Sequence, residues 1–237
     1  MINHHAVDLI EAGKLEAAMH VLSRALDSTQ SMLDNLRSDD LPLKSSLDQF
    51  MSQTSSSCHS VEQQQQQHGN GNMTMFHAEG EQSFLYNRPI RITDYCGIGS
   101  NLKSGVLISA VILFNLALSH QLLGLQKQRQ TSGSGSINCS SSTYLLQKSL
   151  RLYQLALTVH NDLDEDSGLI FPLATMNNLG LLCRSINDDA TAAKYFERLL
   201  SALLFVADHG ESSFLEFDAF FRNASYLISQ ECAAAAA

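Results

Sequence analysis

Residues Gly180 to Leu199 read Gly-Leu-Leu-Cys-Arg-Ser-Ile-Asn-Asp-Asp-Ala-Thr-Ala-Ala-Lys-Tyr-Phe-Glu-Arg-Leu. Gly180, Ala192, Phe196 and Leu199 stand at offsets 0, 12, 16 and 19 in this stretch. Ala6, Ala18, Leu22 and Ala25 repeat the same offsets near the N-terminus. Between the two, Ala117 opens a further copy, and its Ser149, Tyr153 and Ala156 keep the 0, 4, 7 spacing of the second helix 20 residues late. Small residues at such points let two antiparallel helices approach closely, and an aromatic or Leu one turn on fills the space beside them. The spacing therefore predicts three helical hairpins whose crossings lie at these twelve positions.

This signature resembles the tetratricopeptide repeat, a helix–turn–helix unit that stacks into solenoids. The resemblance implies an all-α, TPR-like antiparallel helix-hairpin solenoid, here with a small β-hairpin insertion and disordered loops. It further implies a protein–protein interaction adaptor or scaffold that uses a concave groove and performs no catalysis. The second and third copies share Asn-Leu-small, as Asn115-Leu116-Ala117 and Asn178-Leu179-Gly180, whereas the first has His4-His5-Ala6 and the chain has no Trp. In peptide-binding members of the family, the Asn before the Leu-small pair points into the groove and bonds the main chain of an extended ligand. Asn115 and Asn178 match that position, with Asn177 and Asn3 on similar faces, and Leu118 and Leu181 are expected to set selectivity for apolar side chains. An amide suits the task because it is donor and acceptor at once. The Lys/Arg positions of the family's carboxylate clamp hold Val111, Leu118, Ala174 and Leu181, so chaperone-tail binding by that clamp is not expected.

Periodicity and composition divide the chain as follows. Residues 1–51 hold the first hairpin, broken at Gly13, plus a short helix. Residues 52–72 are a Ser/Gln-rich low-complexity loop with little to bury, predicted to be disordered. Residues 73–102 read as an extended or β-hairpin segment, since Phe84, Tyr86, Ile90 and Ile92 fall on alternate positions and Pro89 suits an edge. The second hairpin covers 103–160 with a Ser/Gly-rich insertion at 128–142. An acidic linker, 161–172, ends at Pro172, read as the first residue of the next helix. The third hairpin covers 173–210, and 211–237 forms a capping helix from about Ser212 to Ala233.

Composition narrows the function. The 237 residues carry 24 acidic against 15 basic side chains, a formal net charge of −9, with no basic cluster to meet phosphates; nucleic acid is not an expected partner. Five scattered cysteines without a Cys-x-x-Cys pair, and an opening Met-Ile-Asn-His-His, point to a cytoplasmic or nuclear protein with free thiols. The longest apolar run, Gly105 to Leu118, is shorter than the roughly 20 residues a membrane span needs and reads as a buried helix. The expected partner is a protein or peptide.

Three stretches of the sequence approach known chemical motifs. Gly97-Ile98-Gly99-Ser100-Asn101-Leu102-Lys103-Ser104 is one residue short of a phosphate-binding loop, with Leu102 where close backbone approach needs Gly. It defines the alternative reading, a nucleotide-binding protein. Asp162, Asp164 and Asp166 lack the later Gly and Glu of a calcium loop, and His59, His68 and His77 have no preformed geometry. No metal or cofactor is expected, and no catalytic residue stands out. A third alternative is a repeat domain with an assembly role whose groove is filled by its own 73–102 segment.

Overall fold

The computed structural model describes residues 2–36, 75–78, 81–92, 102–131, 139–161, 170–209 and 217–225. These residues are almost entirely helical: α1 (Ile2–Glu11), α2 (Leu15–Leu36), α3 (Leu102–Thr131), α4 (Cys139–Asn161), α5 (Ile170–Ser185), α6 (Asp189–His209) and a short α7 (218–225). Two four-residue strands, β1 (Met75–Ala78) and β2 (Glu81–Phe84), pair antiparallel with Met75 opposite Phe84. From α1 to α6 each helix packs on the next in chain order, and α1 also touches α3.

The first and last helical hairpins close by the same turn. At the end of α1, Gly13 adopts φ 71° and the Lys14 N–H donates to the Leu9 carbonyl at 2.8 Å. At the end of α5, Asn187 adopts φ 61° and the Asp188 N–H donates to the Cys183 carbonyl at 2.9 Å. Gly and Asn are the residues that tolerate this left-handed position, and the bonds satisfy carbonyls the helix end would leave orphaned. Gly13 and Asn187 both lie seven residues after the small residue that opens their copy of the signature, Ala6 and Gly180. The Asp188 carboxylate then accepts from the Thr191 N–H and caps α6.

All twelve signature residues lie inside. Ala6, Ala18, Leu22, Ala25, Ala117, Tyr153, Ala156, Ala192, Phe196 and Leu199 belong to one hydrophobic core. Ser149 is fully buried and donates its hydroxyl to the Ala117 carbonyl at 2.8 Å, tying α4 to α3. Gly180 faces the Phe196 ring: a Cβ at 180 would lie 2.6 Å from Cε1 and 2.7 Å from Cζ. On an exposed helix, Gly to Ala gains about 1 kcal/mol. Here the ring has a filled core behind it, so Gly180→Ala should lose a net ~1–3 kcal/mol through over-packing. A urea midpoint for Gly180→Ala equal to or above that of the natural chain would remove the close crossing.

From Gly105 to Leu125 helix α3 is buried nearly all round and shows no exposed polar face, whereas Gln126–Gln130 are polar and mostly exposed. It is long and apolar enough to cross a membrane by length and composition, yet 83% of its most apolar 18 residues are buried within the fold. Its buried hydroxyls bond back to their own helix, Ser109 to the Gly105 carbonyl and Ser119 to the Asn115 carbonyl.

Several boundaries differ from expectation. Helix α3 runs on through Lys127–Gln130, all good helix formers, and α4 starts at Cys139, so the expected 128–142 insertion shrinks to residues 132–138. Helix α5 starts at Ile170 rather than Pro172; Pro still fits, since the first turn has no acceptor for its missing N–H. The described strand pairing ends at Phe84, and residues 85–91 have no regular secondary structure; the main-chain groups of Tyr86 and Ile90 are met by side chains. The expected short helix at 43–51, the 52–72 loop and most of the 161–172 linker lie outside the described residues, as do the ends of the expected 212–233 helix.

Candidate peptide-holding groove

Helices α1, α3, α5 and α7 each present asparagine to the segment 84–92. Asn115 lies fully buried on α3. Its Oδ1 accepts from the Ile90 N–H at 2.8 Å, and its Nδ2 donates to the Ile90 carbonyl at 2.8 Å. Asn178 on α5 does the same for Tyr86, at 3.1 and 2.9 Å. Asn223 on α7 does the same for Phe84, accepting from its N–H at 3.0 Å and donating to its carbonyl at 2.6 Å. Asn3 and Asn177 add donors, to the Ile90 and Phe84 carbonyls respectively, each at 3.1 Å.

The repetition has a geometric reason. In extended backbone the N–H and C=O of one residue point to the same edge, and alternate residues share that edge. A primary amide matches both groups at once, so each Asn reproduces one rung of a β-ladder from a helix. Residues 84, 86 and 90 are in phase. The omitted rung is Arg88, whose side chain is exposed, next to Pro89. The chain direction is also set: Phe84 lies against α5 and α7, and Ile90 against α1 and α3, so the segment runs opposite to the helix order.

The amides are held in place by one another. Asn115 donates to Asn3 Oδ1 at 3.0 Å, Asn177 donates to Asn178 Oδ1 at 3.1 Å, and Asn223 donates to Asn177 Oδ1. Asn178 also donates to the Tyr153 hydroxyl, which donates to Gln121 Oε1, both at 3.0 Å. Complete burial pushes the Tyr153 phenol above its ordinary range, against the opposing effect of the Asn178 hydrogen bond, so it stays a donor.

Side chains of the segment fill the space between. Leu85 and Ile90 are buried, while Phe84, Tyr86 and Ile92 pack against the core. Tyr86 stacks on Phe220 at 5.8 Å between ring centroids, and Phe84 meets the same ring edge-on at 5.5 Å. Phe114 joins Tyr86 to Tyr153 and Phe171. At the far end, Arg91 Nη2 reaches Asp8 Oδ1 at 3.0 Å and Glu11 Oε2 at 2.8 Å.

The four asparagines singled out in the sequence thus converge on one segment, and that segment belongs to the chain itself. Leu118 and Leu181 are buried in the common core. Asn223 lacks the Asn-Leu-small run of the earlier copies, and only a looser Asn-x-small match, Asn223-Ala224-Ser225, marks it in the sequence. The Arg91 pairs with Asp8 and Glu11 carry no local sequence signal, since 80 or more residues separate the partners.

Two other buried groups stand outside this network. His120 is held neutral, its pKa lowered to about 3 by burial and by nearby Lys148, and its Nδ1 has no hydrogen-bond partner. Cys183 is a buried free thiol whose pKa is pushed up to about 11 by burial and by Asp188, which keeps it unreactive. Gly97 to Asn101, Asp162 to Asp166, and His59 and His68 lie outside the described residues, and nothing is described of the side chain of His77. No family model, curated protein or solved structure matches the chain.

Proposed function

We propose that this chain is a protein-interaction scaffold built as a TPR-like solenoid, with its β-hairpin segment inserted so that residues 84–92 lie in the concave groove. The observation that carries the reading is the set of three asparagines, each grasping both main-chain groups of one residue. Such contacts read extended backbone without regard to side chain, which is how a surface made for peptides differs from an ordinary core. The repeated turn at Gly13 and Asn187 supports the solenoid part. The filled groove favours the variant in which the repeat domain first organises itself and offers its outer faces, or the groove after exchange, to a protein partner. The proposed location is the cytosol or nucleus, where a free thiol such as Cys183 persists.

The test is proximity labelling in cells with the natural chain and with a variant carrying Arg91→Glu, which loosens one end of the segment at a solvent-facing pair. A reproducible set of protein partners above the tag-only control is expected from both. A labelled set no different from the tag alone, from chains shown to be folded, would remove the scaffold reading.

A further inference from the structure

We propose that the groove exchanges its own segment for a segment of another protein with a defined pattern: aromatic, Leu, aromatic, three residues, then Ile or Val followed by Arg or Lys. This deepens the scaffold reading and rests on it. The pattern is read from what the resident segment uses. Phe84 and Tyr86 contact the Phe220 ring, Leu85 and Ile90 are buried, and Arg91 lies between Asp8 and Glu11. The Arg88 side chain is exposed, so that position needs no particular residue.

Three features make exchange the natural chemistry of this site. Towards the segment, Asn115, Asn178 and Asn223 bond only main-chain atoms, so an incoming strand meets the same rungs whatever its sequence. The carboxylates at one end impose direction, because amide rungs alone do not distinguish the two ends of a peptide. The formal net charge of −9 draws basic ligands to the chain and repels acidic ones. The tethered segment competes at an effective concentration on the order of millimolar, so a free peptide binds the natural chain weakly until that competitor is loosened.

The experiment uses the full chain and a fluorescein-labelled synthetic peptide of residues Gln82 to Thr93, followed by fluorescence anisotropy. Replacing Tyr86 and Ile90 by Ala in the protein weakens the resident segment, and the natural-sequence peptide should then bind at least about tenfold tighter than to the unaltered chain. Because that variant loses core side chains, a second one leaves the core intact. Arg91→Glu should tighten binding of the same peptide by about threefold, the scale of a solvent-facing pair. Registration is checked by charge exchange: a chain with Asp8→Lys and Glu11→Lys should prefer a peptide carrying Glu at position 91. Equal binding to all variants places the peptide elsewhere and overturns the proposal. Absence of binding to the folded Arg91→Glu chain also overturns it, while partners recovered by proximity labelling would leave the scaffold reading standing.

Discussion

Asn178→Ala is expected to lower the unfolding free energy by about 2–4 kcal/mol, because it strands several partly buried partners together. The Tyr86 N–H and carbonyl lose their partners, the Tyr153 hydroxyl loses its donor, and Asn177 loses an acceptor. A peptide-contact residue awaiting an external ligand would behave otherwise, losing affinity with little change in stability. Urea unfolding of Asn178→Ala measures the first quantity, and amide hydrogen exchange at Tyr86 supplies a local readout. The Tyr86 amide should exchange much faster in the variant, while amides in the middle of α6 follow only the change in global stability. An unchanged midpoint together with an unchanged Tyr86 rate would show that the side chain does not hold the segment in solution.

The second large effect is on acid stability. His120 has a folded pKa of about 3, whereas an unfolded His titrates near 6.5. The unfolded chain therefore binds one more proton throughout the interval between these values. Its contribution to stability is complete above about pH 6.5 and declines as the pH falls, at about 1.4 kcal/mol per pH unit. By about pH 4.5 the loss should reach roughly 2–3 kcal/mol. His120→Leu removes the titrating group and should flatten this part of the profile; other acid-labile groups affect both proteins alike. Urea midpoints at half-unit intervals from neutral pH downward decide the matter. Parallel profiles for the two proteins would mean that His120 gains solvent access and titrates normally.

The two predictions draw on parts of the molecule that were unequally legible in the sequence. The crossings at Gly180, Ala192 and Phe196 could be read because helical packing is periodic, so a small residue and a ring at fixed spacing already imply a contact. Asn115 and Asn178 could be named because both stand in an Asn-Leu-small run that resembles the groove position of the repeat, with Asn177 and Asn3 on similar faces. The length of α3 is less legible, since Lys127–Gln130 are good helix formers but are polar, mostly exposed and close to a Ser/Gly-rich run.

Local order set by short-range spacing is what the sequence determined alone: helices, the left-handed turns at Gly13 and Asn187, and the faces that turn inward. Which segment the asparagines hold was decided only by tertiary structure. An amide's preference for extended backbone is the same for any strand, so nothing in Asn115 or Asn178 names residues 84–92 as their partner. That choice depends on Phe84, Tyr86 and Ile90 arriving in phase, on Phe220 closing over them from α7, and on Arg91 meeting two carboxylates of α1. These contacts join residues 25 to 139 positions apart, and they exist only once the helices between them have been stacked.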